Sequence, residues 1–243
     1  MILLEQVGFT YADGAVGLQD VSFAVPAGEL VVVAGANGSG KTTLLKHLNG
    51  LLLPQRGRVA VDNVCTRDDP HGVRRRVGMV FQHADAQIVG ETVADDVAFG
   101  PENLVLTADE IAGRVSEALT AVGLEDLSEA RPHVLSGGEK RRLAVAGALA
   151  MHPRVVLFDE PFSNLDYPGV RQVLTLMVDL HRGGQTVIVA THELEKVLAH
   201  ADRLVVLDGG RIVRDGRPQQ LAAEVEHFGL RPPPRGERWS WLN

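Results

Sequence analysis

The segment GANGSGKT has the residue types and the spacing of a loop that holds phosphate groups. Its glycines, Gly35, Gly38 and Gly40, let the backbone wrap closely around an anion, so that several N–H groups face the oxygens. Lys41 adds a positive charge for the outer phosphates of a nucleotide, and the hydroxyl of Thr42 is a ligand that Mg²⁺ accepts. An apolar strand precedes this phosphate loop and a helix follows it, which is the context that the motif requires.

Polar side chains also follow two later apolar strands. Asp159 and Glu160 come directly after VVLF, where Asp159 suits Mg²⁺ through water and Glu160 could accept a proton from an attacking water. His192 follows VIVAT, and strand ends of this kind line the ligand crevice of open α/β sheets. A solvated corner for the acids and a structural role for His192 are the alternatives. Gln82, after VGMVF, reads on composition alone as a polar loop residue.

A second candidate anion site lies about a hundred residues after the first, in LSGGEKRRLAVAGALA. Ser136, Gly137 and Gly138 precede an apolar-periodic helix, and a small-residue loop at a helix N-terminus offers free N–H groups and the positive end of the dipole. The polar run Glu139–Arg142 is expected to be the solvated first turn of that helix. The residues alone do not explain why one chain carries two phosphate loops.

The elements around these loops read as an α/β protein. ILLEQVGFTY and VSFAV alternate like half-buried strands, whereas ELVVVAG is a continuous apolar strand of a parallel sheet. A helix is predicted over Lys41–Asn49, and strands over GRVAVDN and Val77–Phe81. Helical periodicity dominates from about Val89 to Met151.

The clearest helices of that stretch are Ile111–Val122 and Lys140–Met151. Strands then return as VVLF and TVIVA, with a helix over Pro168–His181, and RLVVLDGGRIVRDG reads as a hairpin. This order predicts a parallel-sheet core with an N-terminal antiparallel β region and an inserted helical subdomain. The tail RPPPRGERWSWLN is expected to be extended or loosely held, with docking of Trp239 and Trp241 as the alternative.

Composition narrows the function. The 243 residues carry a net charge of −7, which disfavours nucleic-acid binding, and the single cysteine excludes an intrachain disulfide. No apolar run approaches the roughly 18 residues that span a bilayer, and the first residues lack the features of a signal peptide. A location in the cytoplasm is therefore expected, with a membrane-spanning partner if the protein acts at a membrane.

The ordered set GANGSGKT, Gln82, LSGG, VVLFDEP, NLD and His192 resembles that of ATP-binding cassette (ABC) ATPase subunits, over about Ile2 to Gln220. The resemblance implies a P-loop, RecA-like core and hydrolysis of ATP with Mg²⁺. It also implies a single ABC domain over 1–220, with core segments 1–87 and 152–220, a helical subdomain over about 88–151, and a C-terminal tail over 221–243.

The resemblance assigns roles to the matching positions. Glu160 matches the catalytic base, His192 the switch histidine and Gln82 the sensor of γ-phosphate and Mg²⁺, with Lys41 as a further catalytic group. Thr42, Gln82 and Asp159 would hold the metal. The ATP-binding set would be Tyr11, Gly35, Asn37, Gly38, Ser39, Gly40, Lys41, Thr42 and Thr43. Tyr11 matches the aromatic that stacks on adenine; on its own it reads as a strand residue in the core or at the rim.

The same resemblance explains the two loops. In ABC proteins two subunits pack head to tail, and each offers its LSGG loop to the ATP on the other subunit's phosphate loop. Ser136, Gly137, Gly138 and Asp166 would then contact nucleotide in trans, and Asp166, in NLD, would also lie in the loop that communicates between subunits.

The run from Gln82 to Asn103, with DAQI and DVAFGP, is similar to energy-coupling-factor (ECF) importers of vitamins, cobalt or nickel. That similarity implies a transmembrane coupling protein received by this run, a substrate-binding membrane protein, and peripheral attachment to the cytoplasmic face of the membrane. His83 and Ala84 stand where this branch often has Asn-Pro, which leaves another ABC importer as an alternative. A homodimer is expected, with a heterodimer as the alternative. A soluble ABC ATPase without a transport role, such as the iron–sulfur assembly type, is the rival class.

Overall fold

The computed structural model describes residues 1–233 and 240–242. The strands are β1 (Ile2–Thr10), β2 (Val16–Val25), β3 (Leu30–Ala34), β4 (Arg56–Val61), β5 (Val64–Cys65), β6 (Val77–Val80), β7 (Val155–Asp159), β8 (Thr186–Thr191), β9 (Arg203–Asp208) and β10 (Arg211–Gly216). The helices are α1 (Lys41–Leu48), α2 (Pro70–Arg74), α3 (Val93–Glu102), α4 (Ala108–Val122), α5 (Gly137–Leu149), α6 (Tyr167–Arg182), α7 (Leu194–Val197) and α8 (Pro218–Leu221).

A six-stranded sheet with the order β10-β9-β3-β8-β7-β6 forms the centre of the fold. Five neighbouring strands of this sheet, β9, β3, β8, β7 and β6, run parallel, and β10 pairs antiparallel with β9. Every residue of β3, β7 and β8 is buried, as expected for apolar strands that are covered on both faces. Because these strands are parallel, their carboxyl ends lie at one edge of the sheet.

Alternate residues of β3 point into two different cores. Val31 and Val33 pack with α1 and with the inner face of a four-stranded antiparallel sheet of order β2-β1-β4-β5. Leu30, Val32 and Ala34 pack on the other side with residues of α3, α4, α5 and α6. The central sheet is therefore sandwiched between the antiparallel sheet with α1 and the helices, and the predicted fold class is confirmed.

The inserted helices α3, α4 and α5 pack on one another, and α5 also packs on β6. Each begins with a reciprocal capping box, in which Thr92, Thr107 or Ser136 exchanges hydrogen bonds with the acidic residue three positions later. These caps fix where the helices start.

Two boundaries differ from the sequence-based expectation. β2 begins at Val16 rather than Val21, because the strand continues through Asp20 despite its left-handed φ of 52°. α5 begins at Gly137 rather than Lys140, because the Ser136 cap draws both glycines into the first turn. The LSGG loop is thus mostly the start of a helix.

The end of the chain is docked where it is described. The ring of Trp241 lies 5.3 Å from that of Tyr167, and Ser240 Oγ is 2.8 Å from His200 Nε2. Trp239 lies outside the described residues. Among residues 1–233 and 240–242, the longest apolar helical stretches are too short to cross a membrane.

Candidate functional site

A cleft of about 530 Å³ opens at the carboxyl ends of the central strands. It lies between the phosphate loop, the N-terminal antiparallel sheet and the ends of β6, β7 and β8. The cleft is lined by Tyr11, Ala15, Val16, Gly17, Asn37, Gly38, Gly40, Lys41, Thr42, Thr43, Gln82, Glu160 and His192. Residues predicted from four separate motifs therefore line the same cleft.

The phosphate loop needs its glycines for reasons within the fold. A Cβ at Gly35 would lie 2.2 Å from Ser39 Oγ, and one at Gly40, whose φ is +108°, would lie 2.6 Å from the Gly17 carbonyl oxygen. Lys41 is buried and donates to the carbonyls of Gly35 at 2.7 Å and Ala36 at 3.2 Å. The loop is thus curled over its own lysine, with N–H groups from the turn and from the start of α1 available to an anion.

Thr42 lines the cleft and is hydrogen-bonded to Asp159, which is buried. The Thr42 hydroxyl lies 3.0 Å and 2.8 Å from the two carboxylate oxygens of Asp159. Burial raises the pKa of Asp159, the hydrogen bond from Thr42 lowers it, and the nearby charge of Glu160 raises it further. A hydroxyl beside a carboxylate at this strand end is an oxygen donor pair of the kind that Mg²⁺ prefers, so the residues present fit that ion.

Glu160 lies between Lys41 and His192. Its Oε1 is 3.2 Å from Lys41 Nζ and its Oε2 is 3.0 Å from His192 Nδ1. The residue is buried and has a left-handed φ of 45°, a strained conformation that is uncommon outside glycine and clusters at functional sites. Its backbone N–H donates to the Ala190 carbonyl at 2.8 Å, which ties the strained turn to β8.

Tyr11 forms a wall of the cleft together with residues that the sequence did not single out. Its hydroxyl is 2.8 Å from Thr43 Oγ1, and its ring meets Phe9 edge to face with centroids 5.0 Å apart. A Cβ on Gly17 would lie 2.8 Å from Thr43 Cγ2 and 3.1 Å from the Tyr11 ring. The glycine beside an apolar strand start was the only sequence signal for this close approach.

The LSGG loop lies apart from this cleft. Ser136 and Gly137 are exposed, and none of Ser136, Gly137 and Gly138 lines the cleft. The Ser136 hydroxyl caps α5 by accepting from Glu139 N at 3.3 Å, and it donates to the Glu139 carboxylate at 2.7 Å. Gly35, Ser39 and Asp159 of the predicted set are buried and do not line the cleft either. Asp166 also lies outside the lining: it is exposed and caps α6 by accepting from Gly169 N at 3.0 Å.

One expectation about α5 is wrong. The polar run Glu139–Arg142 predicts a solvated turn, but Arg141 is buried, with only 4% of its surface exposed. Its guanidinium turns inward and donates to the carbonyls of Phe81 at 2.6 Å and Gln82 at 2.7 Å. The sequence gives no sign of this burial, because an arginine in a polar run has the same residue type whether it is buried or solvated.

A curled phosphate loop over a lysine, a hydroxyl in the cleft bonded to a buried carboxylate, and a glutamate held by a histidine define an ATP-binding and ATP-hydrolysing cassette. The comparisons with known proteins agree. The family model described as ABC transporter matches residues 18–163. The chain belongs to the ABC transporter family and is an ATPase.

Its relatives narrow the class. The chain is 44% identical over 239 residues to the cobalt import ATP-binding protein CbiO of Rhodobacter capsulatus, which covers 96% of this chain and 85% of the relative. It is 43% identical to the energy-coupling factor transporter ATP-binding protein EcfA of Methanocaldococcus jannaschii, over 90% of this chain and 79% of the relative. The chain is an ATP-hydrolysing subunit of an ABC importer and resembles the ECF type.

Solved structures give the same result. The structure of cbiO1 from Clostridium perfringens, titled as part of the ABC transporter complex cbiONQ, superposes with a TM-score of 0.83 at 37% identity, covering 93% of this chain and 92% of that one. A dimeric post-hydrolysis state of the ATP-binding cassette MJ0796, bound to ADP and Pi, superposes with a TM-score of 0.80 at 30% identity, over 90% of this chain and 99% of the other.

Proposed function

We propose that two copies of this chain pack head to tail around two ATP molecules, and that their closing and opening drives uptake of a transition-metal ion or a vitamin through membrane partners. The observation that carries the head-to-tail part is the contrast between the glycines of the two loops. Among the residues that the structure describes, close contacts or a positive φ require glycine in the first loop but not in the second.

The LSGG glycines are unexplained by the fold of one subunit. Neither Gly137 nor Gly138 has a positive φ, and a Cβ on either would have no neighbouring atom within 4 Å among the described residues. Glycine in a helix costs about 0.5–1 kcal/mol relative to alanine. A ligand that must approach the backbone closely, supplied by a second subunit, accounts for two successive glycines at this position.

The phosphate-loop half supplies the rest of the proposed site. The backbone of Gly35–Thr43 and the Lys41 amine would hold the phosphates, with Tyr11 against the adenine. Lys41 now contacts Glu160, and a bound triphosphate offers the lysine a stronger anionic partner, which frees the carboxylate. Mg²⁺, held by Thr42, Asp159 and the side chain of Gln82, would neutralise charge on the phosphates.

Glu160 then has the position of a general base. Its Oε2 is held by His192 Nδ1, and the strained turn fixes its direction, so that it can take a proton from a water aimed at the γ-phosphate. Release of phosphate removes the charge that the LSGG loop of the partner contacts, and the dimer opens.

The segment from Gln82 to Asn103 is the proposed contact for the coupling protein. A second cavity of about 580 Å³ lies there, and Asp85, Ile88, Gly90 and Glu91 of this segment line it. Arg131, Pro132, His133 and Lys140 line its other side, and Lys140 Nζ is 2.7 Å from Asp85 Oδ1. Phe99 is 57% exposed on the same segment. A cavity with charged groups of both signs beside exposed apolar side chains suits an amphipathic helix of a membrane protein. Attachment through this segment would place the chain at the cytoplasmic face of the membrane.

Copurification tests the membrane partnership. The tagged chain is expected to bring down a polytopic membrane protein from detergent extracts of its source cells. Phe99→Asp should abolish that capture without lowering basal ATPase activity. Val105→Asp, another exposed site just outside the segment, should keep both. Capture of soluble partners alone would contradict the transport role.

A further inference from the structure

Arg141 links three parts of the molecule that the proposed mechanism uses separately. It lies in α5, three residues after Gly138 of the LSGG loop. Besides the carbonyls of Phe81 and Gln82, which follow β6, its guanidinium approaches the Ser163 carbonyl at 3.5 Å. Ser163 in turn donates its N–H to the Glu160 carbonyl at 3.3 Å. One side chain that follows the LSGG loop thus contacts the backbone beside two other motifs.

Burial of the Arg141 guanidinium lowers the stability of the fold, which suggests a functional reason for keeping it. The hydrogen bonds of the Arg141 guanidinium go to neutral carbonyls, and its Nε is buried without a hydrogen-bond partner among the described residues. Burial lowers the pKa of Arg141, and the charges of Asp85 and Asp159 oppose this only in part. Burying such a cation is unfavourable compared with an apolar side chain of similar size. The planar guanidinium does, however, reach two carbonyls in a fixed geometry that lysine cannot reproduce.

We propose that Arg141 is a positioning residue that makes the LSGG loop and the Gln82 loop move as one unit. The inference rests on the proposed head-to-tail dimer. When Gln82 responds to nucleotide in its own subunit, the two hydrogen bonds to the Phe81–Gln82 backbone carry that movement into the first turn of α5. The LSGG loop of one subunit then reaches the partner's nucleotide only when its own subunit is loaded.

Kinetics of purified Arg141→Met and Arg141→Lys test this. The subunit's affinity for ATP should stay within about twofold, because Arg141 does not line the cleft. The kcat should fall roughly 10–100-fold in Arg141→Met, the scale of a misplacement near 1 Å. Arg141→Lys should recover only part of that loss, since one ammonium replaces a fork. ATP-driven dimerisation in a Glu160→Gln background should fall in parallel.

Two further variants separate positioning from general destabilisation. Arg67 also bonds a backbone carbonyl, that of Pro54 at 3.1 Å, and it contacts neither the Gln82 backbone nor Ser163 among the described hydrogen bonds. Arg67→Met should leave kcat within about twofold. Because Arg67 is exposed whereas Arg141 is buried, the thermal stability of both variants is measured, so that each change in kcat is compared with its own loss of stability. The effects of Arg141→Met and Gln82→Ala should be strongly non-additive, as expected for one network.

The outcomes are distinguishable. Unchanged kcat in Arg141→Met, or additive effects with Gln82→Ala, would overturn the role of Arg141 while the dimer proposal stands. Loss of ATP affinity equal to the loss of kcat would also overturn it, because the residue would then act on the nucleotide site as a whole. Absence of ATP-driven dimerisation in the Glu160→Gln protein with Arg141 intact would instead refute the proposed dimer.

Discussion

The two glycine-containing loops differ in what holds them. The phosphate loop is locked into its subunit: Lys41 is buried, and side chains at Gly35 or Gly40 would collide with neighbouring atoms. The LSGG loop is exposed, capped only by its own Glu139, and its glycines have open space around them. Contacts within one subunit therefore fix the conformation of the first loop. No contact among the described residues requires the glycines of the second loop, as expected if their ligand comes from a second subunit.

This difference separates glycines that the fold requires from glycines that a ligand requires. A glycine demanded by the fold is recognised by a positive φ or a close contact, and its replacement destabilises the protein. A glycine demanded by a ligand leaves no trace in the isolated subunit. Replacing glycine by alanine should therefore lower both stability and activity in the phosphate loop, and activity alone in the LSGG loop.

Glu160→Gln should give the largest loss and should divide binding from chemistry. Turnover is expected to fall roughly 10²–10⁴-fold, the usual cost of losing a general base. ATP affinity should be retained, because the amide keeps the size of the side chain and the LSGG loop is untouched. Single-turnover hydrolysis and equilibrium nucleotide binding measure the two effects, and wild-type turnover would rule out Glu160 as the base.

Gly137→Ala and Gly40→Ala test whether the glycines of the two loops are required for different reasons. Gly137→Ala is expected to keep or raise the free energy of unfolding by up to about 1 kcal/mol, since alanine is the better helix former. Its ATPase activity should fall roughly 10²-fold, the scale of losing one preorganised anion contact. Binding of ATP to the isolated subunit should be unaffected. Denaturant unfolding and steady-state hydrolysis check both.

Gly40→Ala should lower the stability of the subunit and its ATP binding together. Its φ of +108° and the 2.6 Å approach to the Gly17 carbonyl predict a lower unfolding free energy together with loss of ATP binding. A destabilised Gly137→Ala, or a stable Gly40→Ala that binds ATP, would remove the distinction between the loops.

A smaller effect concerns the support beneath the phosphate loop. His47 in α1 is buried, with Nδ1 2.7 Å from the Thr43 carbonyl, and burial lowers its pKa below the usual 6.5. The unfolded chain therefore binds the proton first, and stability from this site is present above pH 6.5 and is lost as the pH falls below it. His47→Gln should flatten that decline in unfolding free energy between pH 7 and 5. An unchanged slope would show that another group causes it.

Much of the fold could be predicted because its signals are local. The fully apolar β3, β7 and β8 and the periodic helices α4 and α6 are written in consecutive residues. The early start of α5 was missed because the glycines of the LSGG loop have poor helix propensity, and a capping box at Ser136 outweighs it. The predicted domain limits stay predictions.

The predicted site residues lie close together where a motif coincides with the end of a strand, and their roles stay predictions. The phosphate loop, Asp159, Glu160 and His192 all follow apolar strands, and parallel strands bring such ends together. Gly17 and Arg141 were missed because their roles depend on distant partners: the Tyr11 and Thr43 side chains for one, and the carbonyls after β6 for the other. No local pattern in one sequence encodes such contacts.

Cross-linking between the two loops tests the central claim most directly. Asn37→Cys places a thiol on the exposed phosphate loop, and Val134→Cys places one beside the LSGG loop without altering it; Val134 is 66% exposed. Both are made in the Glu160→Gln background, with the Cys65 protein as a blank, because Cys65 is buried. With ATP and a short bis-maleimide, a mixture of the two variants should form a covalent dimer, and neither variant alone should do so. Equal cross-linking by either variant alone, or a cross-link that is independent of ATP, would contradict the head-to-tail account.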